Sequence, residues 1–162
     1  MSDERVPMTS KGHAALKEEV RRLKTVERPR ISEEIGRARE LGDLKENAEY
    51  HAAKEKQGLI EARIKYLEDR LARAEVIDVS KLSGDRVVFG ATVELYDVDN
   101  EVEVTYTIVG EDEADLEHNK ISIKSPIARA LIGKSVDDEV TLRTGRGLRT
   151  YEILSVRFDP DA

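Results

Sequence analysis

The chain has 162 residues, of which 39% are hydrophobic and 38% charged, with a formal net charge of −7. So small an apolar share argues against one large spherical core and for a long charged element with much surface. The lack of cysteine excludes disulfide staples and thiolate metal sites.

Met1-Ser2-Asp3-Glu4-Arg5 has no apolar stretch of the signal-peptide kind, and no apolar run nears the roughly 20 residues of a membrane span. A cytoplasmic protein with no membrane partner is expected. Residues 1–78 hold 17 acidic and 17 basic side chains, whereas residues 79–162 hold 17 acidic and 10 basic. Neither half is a basic nucleic-acid footprint, so net charge would not bring this chain to a nucleic acid.

In chain order, residues 8–76 read as helix, with Thr9 or Ser10 as the N-cap. Leu16, Val20, Leu23, Ile31, Ile35 and Ala38 form a first apolar stripe. It is irregular between 23 and 31, where Pro29 lies, and a kink is expected near residues 25–29. Tyr50, Ala53, Gln57, Ile60, Ile64, Leu67, Leu71 and Ala74 then alternate spacings of three and four, an a/d seam with Gln57 as its polar member. Gly42 reads as a helix stop and Asp43 as a helix start, so the two stretches should fold back as an antiparallel hairpin.

The segment from Gly42 to Tyr50 holds the chemistry. Extending the seam backward from Tyr50 by four and three reaches Glu46 and Asp43, which would be neighbours on a helix face. One reading is a capping box, with Asp43 as N-cap and Glu46 at the third helical position. Another is a half-site for a divalent cation, because magnesium is often held by one or two carboxylates, with water and other oxygens completing its shell. The two are compatible. Arg37, Arg39, Lys45, Lys54 and Lys56 surround this tip as a solvated helix surface or as phosphate contacts. Tyr50 is a seam residue or a stacking platform. His51 has no evident nucleophile beside it, and His13 and His118 have no metal-like spacing.

Beyond Asp78 the pattern changes, giving domains at 1–78 and 79–162. Val87–Leu95, Val102–Val109, Ile121–Ile123, Glu139–Leu142 and Tyr151–Phe158 read as strands. Turns are expected at Asp97-Val98-Asp99-Asn100 and Gly145-Arg146-Gly147, and a short helix at Pro126–Leu131 with Gly133 just past its end. The fold class is α+β: a helical hairpin followed by a small, mostly antiparallel sheet with one helix.

The run Arg39-Glu40-Leu41-Gly42-Asp43-Leu44-Lys45-Glu46-Asn47-Ala48-Glu49-Tyr50-His51-Ala52-Ala53 closely resembles the hairpin tip of the bacterial Gre transcript cleavage factors. The likeness continues through Phe89-Gly90-Ala91-Thr92-Val93, Ile108-Val109-Gly110-Glu111-Asp112-Glu113-Ala114-Asp115 and Ser125-Pro126-Ile127-Ala128-Arg129-Ala130-Leu131-Ile132-Gly133-Lys134. It implies a coiled-coil hairpin joined to an FKBP-like antiparallel domain. It also implies binding in the secondary channel of bacterial RNA polymerase, where Asp43 and Glu46 would help hold a second magnesium ion. The polymerase, rather than this chain, would then hydrolyse backtracked nascent RNA. By the same resemblance the second domain docks outside the channel, with Ser125, Pro126 and Ile127 as the expected contact. Arg37, Arg39, Lys45 and Lys54 are expected near the RNA 3′ end, and the chain is expected to be a monomer.

Three other functions fit parts of the pattern. A purely inhibitory channel binder would share the architecture but not need the paired acids. A peptidyl-prolyl isomerase would need an aromatic-lined pocket, for which no Trp and two Phe offer little. A structural coiled-coil adaptor would gain nothing from two adjacent carboxylates.

Overall fold

Short elements at each end of the helical stretch decide where the chain divides. A computed structural model describes residues 4–42 and 47–160. These fall into two compact units, one of Glu4 and residues 14–74, the other of residues 5–13 and 75–160.

The first unit is a helical hairpin. Helix α1 (Ser10–Arg22) leads through a π-helical turn (Leu23–Glu27) into α2 (Arg28–Arg39), and α3 (Ala48–Ala72) forms the second arm. The π turn lies where a kink is expected, and its cause can be read from the sequence. Leu16 to Leu23 and Ile31 to Ala38 are each one heptad, but Leu23 to Ile31 is one residue longer. A π turn absorbs one extra residue, so the stripe returns to the same face. The Arg28 N–H accordingly reaches back to the Leu23 carbonyl, and Pro29, which has no N–H to give, sits in the first turn of α2.

Ile31, Ile35, Ala53, Ile60 and Ile64 form the buried seam, flanked by half-buried Leu23 and Tyr50. Polar rungs cross between the arms: Lys24 to Glu68 at 2.6 Å, Arg28 to Glu61 at 2.7 Å and Lys56 to Glu34 at 3.8 Å. Numbers rise on one arm as they fall on the other, so the arms are antiparallel. Each exposed rung is worth about 0–1 kcal/mol, and each buried Ile or Leu roughly 1.5–3 kcal/mol. The apolar seam therefore holds the arms together, and the rungs help select their register.

In the second unit, β1 (Val6–Thr9) pairs with β2 (Ala74–Ile77) in a two-stranded sheet. Periodicity alone assigns Met8, Thr9, Ala74 and Val76 to the helical stretch; four-residue strands abutting helices leave too little alternation to separate them. The structure thus groups 5–13 and 75–78 with the second unit, against a sequence division at 78.

A five-stranded sheet follows, in the order β5-β4-β3-β7-β6. Its strands are β3 (Thr92–Asp97), β4 (Val102–Val109), β5 (Lys120–Ser122), β6 (Glu139–Thr144) and β7 (Gly147–Arg157). Three ladders are antiparallel, but β5 runs parallel to β4. It is reached through two 3₁₀ turns rather than a hairpin. The first strand starts at Thr92, not Val87, and the helix α4 (Pro126–Leu131) lies where the sequence puts it. Val87, Val93, Leu95, Ile108, Leu131 and Ile153 are fully buried in the core between sheet and helix.

Candidate functional site

The hairpin end is built by two helix termini. Arg39 ends α2, and the chain passes through Leu41, which is exposed, to Gly42. Gly42 has φ of +118°, a conformation that strains any residue with a Cβ, so glycine is the residue the turn requires. Asp43, Lys45 and Glu46 lie outside the described residues. The next helix begins at Ala48, and its N-cap is Asn47, with φ −85° and ψ 96°. Helix α3 therefore opens at Asn47, while the expected capping box of Asp43 and Glu46 lies outside the described residues.

Asn47 is the residue that sequence reading missed. Its Oδ1 accepts from the Tyr50 N–H at 3.0 Å, which satisfies one of the orphan donors of the first turn. Its Nδ2 donates to the Ala38 carbonyl on the opposite arm. A signal was available, since Asn is among the strongest N-cap residues and Asn47 directly precedes the apolar-periodic run. Asp43 competed with it by following Gly42.

Among the basic residues, Arg37 is exposed in the last turn of α2. The Arg39 guanidinium lies 5.9 Å from the Tyr50 ring centroid, a cation–π contact across the arms. The Lys54 Nζ donates to Gln57 Oε1 at 3.1 Å, and Lys56 faces Glu34. Tyr50 meets His51 edge to face, with centroids 5.6 Å apart. Tyr50 is half-buried against the seam, so packing accounts for one side of its ring. A wide-mouthed cleft of about 630 Å³ beside this end is lined by Glu34, Arg37, Leu41, Glu49 and Lys56, among others. Arg37, Arg39, Tyr50 and Lys56 are thus brought to one end of the hairpin. Lys54 lies between Tyr50 and Lys56 along α3, on an exposed face.

Ser125, Pro126 and Ile127 form the start of α4 in the second unit. The Ser125 Oγ donates to the Ser122 carbonyl at 2.7 Å and accepts from the Ala128 N–H at 3.3 Å. Pro126 occupies the first helical position and is exposed, and Ile127 packs partly against the core. The segment is therefore a rigid cap presenting Pro126. Among the described residues no three His, Asp or Glu side chains gather to hold a metal ion. No helix among them is long and apolar enough to cross a membrane.

Two carboxylates elsewhere organise the second unit. Asp97 is buried at the β3–β4 turn and accepts from the Asp99 and Asn100 N–H groups, each at 3.1 Å, and from Asn100 Nδ2 at 2.9 Å. Arg149 approaches it at 3.1 Å. Burial opposes its charge, but the Asn100 hydrogen bonds, Arg149 and the Asp99 N–H together hold its pKa below the usual value. Glu113 accepts from the Thr9 N–H and the Gly110 N–H, each at 3.0 Å, and from the Thr9 hydroxyl. Thr9 in turn caps α1 by accepting from the Gly12 N–H at 3.0 Å.

Residues 6–76 match the family described as "Transcription elongation factor, N-terminal", and residues 82–158 match "Transcription elongation factor, GreA/GreB, C-term". The chain is 62% identical over 155 residues to the transcription elongation factor GreA of Hyphomonas neptunium, covering 96% of this chain and 99% of that protein. It is 60% identical over 152 residues to GreA of Rickettsia prowazekii, covering 94% of each. Among solved structures, the GreA factor homolog 1 (Gfh1) protein of Thermus thermophilus is similar over 95% of this chain and 99% of its own, at 29% identity and a TM-score of 0.44.

Proposed function

Because this chain belongs to the GreA/GreB transcription elongation factor family, we propose that it acts on bacterial RNA polymerase by reaching through the secondary channel and stimulating cleavage of backtracked nascent RNA. The observation that carries this reading is the construction of the hairpin end. Two helices locked by an apolar seam stop at Arg39 and Ala48, and the acidic pair Asp43 and Glu46 lies in the few residues between them.

The donor chemistry fits magnesium. Two carboxylates are a weak site alone, but a sufficient half-site where a second macromolecule supplies the remaining oxygens. An ion so held lowers the pKa of a bound water and stabilises the leaving oxygen of an in-line displacement. Asp43 and Glu46 supply the negative oxygens that hold it there. Arg37, Arg39, Lys45 and Lys54 lie near the RNA 3′ end and position phosphates as point charges. The second unit docks outside the channel through the Ser125, Pro126 and Ile127 cap. The chain is in this reading a cytoplasmic monomer that completes the polymerase's own active centre instead of being an enzyme by itself.

The test uses a backtracked polymerase complex with 5′-end-labelled RNA, mixed with the protein and magnesium. Shortened 5′-labelled transcripts should appear only when both are added. Asp43→Ala and Glu46→Ala should each leave polymerase binding nearly intact while lowering the cleavage rate by about 100-fold or more, beyond what loss of an outer-shell partner costs. Unchanged cleavage by both variants defeats the metal-delivery reading.

A further inference from the structure

We infer that Asn47 is a positioning residue for the tip carboxylates, acting through a side-chain bridge that closes the hairpin at the base of the acidic segment. The inference rests on the reading of Asp43 and Glu46 given above. Its own basis is geometric. The backbone carbonyl of Asn47 accepts the first helical bond of α3, from the His51 N–H at 3.1 Å. Its Oδ1 caps the same helix at the Tyr50 N–H. Its Nδ2 crosses to the Ala38 carbonyl, which also accepts from the Leu41 N–H at 3.1 Å.

Ala38 is itself a buried seam residue in the last turn of α2. The bridge therefore ends on a part of the first arm that packing already fixes. Carbonyls in a last helical turn lack intrahelical partners, so the Nδ2 donor meets an acceptor with capacity to spare.

Helix capping alone does not require this residue. Asp and Ser cap about as well as Asn, because capping uses one acceptor oxygen. The bridge needs a donor and an acceptor on separate atoms of one short stem. A carboxylate has no donor, and a hydroxyl has a single oxygen one bond nearer the backbone. Asparagine satisfies both arms at once. Asp43 and Glu46 are in the segment whose two ends this bridge joins, so the separation of those ends bears directly on where the carboxylates are delivered. Displacements of about 1 Å at a reacting centre can cost roughly 100-fold in rate.

The experiment compares full-length Asn47→Ser and Asn47→Asp with the parent chain on the backtracked polymerase complex. Cleavage is measured at saturating protein across a magnesium titration. Both variants should keep the parent's helix content and compete equally for polymerase. Asn47→Ser should cleave roughly tenfold more slowly, as expected for loss of a group that orients ligands. It should also need more magnesium for half-maximal cleavage, with excess magnesium restoring part of the rate. Parent-like cleavage by Asn47→Ser at every magnesium concentration overturns the inference, and so does a loss that follows binding or helix content with no magnesium dependence. If Asp43→Ala abolishes cleavage while Asn47→Ser is normal, only the bridge fails. If Asp43→Ala and Glu46→Ala are both active, the tip reading fails and takes the bridge with it.

Discussion

Glu113 binds three donors with two oxygens, two of them on Thr9, a residue 104 positions away in sequence. A half-buried acceptor with several donors is costly to remove, because those donors lose their partner. Glu113→Ala should lower unfolding free energy by about 1–3 kcal/mol, read from the urea midpoint at constant slope. Gly12 is the companion constraint: a Cβ there would lie 2.1 Å from the Glu113 side chain, so Gly12→Ala must displace the carboxylate from its donors. Asp97 sets a pH dependence. Its folded pKa is depressed, so its contribution is present above the unfolded value near 3.9 and fades as pH falls through the folded one. Asp97→Asn should reduce the melting temperature at neutral pH and flatten the loss of stability below about pH 4. Thr9 as a cap was legible because capping is local. Glu113 and the Arg149 partner of Asp97 were not, because their contacts join residues far apart in the chain. Asn47 was half legible: its capping role is local, its bridge is not.

At the scale of elements, the seam from Tyr50 to Leu67 was readable because packing selects one face every three or four residues. Leu67 has no exposed surface, and Leu67→Ala should cost about 2–5 kcal/mol, measured by chemical denaturation. The π turn makes a sharper claim. It stores one residue beyond the heptad, so deleting Thr25 should let an ordinary helix run from Leu23 with Ile31 and Ile35 still facing α3. Inserting an alanine beside Thr25 should instead rotate that stripe away and lower the melting temperature. Equal damage from both changes, judged by helix content and melting, would mean the turn is not a register device. The short strands β1 and β2 are hidden in the sequence because their apolar residues continue the helical pattern on either side. The parallel pairing of β5 could not be read either, since strand residue types do not specify direction.

For the molecule as a whole, the α+β class was legible, whereas the target was not: a charged helical hairpin is compatible with many partners, and it is the long tip motif and the family match that point to transcription. The exposed cross-arm rungs are screened strongly at about 1 M salt, where the Debye length is near 3 Å. Melting of the hairpin should then change by less than about 5 °C, because its seam is apolar. The grouping of residues 5–13 with the second unit has a practical outcome. Val6 and Met8 are buried there, and the Pro7 carbonyl lies against Gly110. A fragment cloned from residue 79 onward would leave out that strand and uncover the apolar bed it occupies. Such a fragment should be less stable than the intact chain and prone to self-association, and restoring the missing piece as a separate peptide should reverse both.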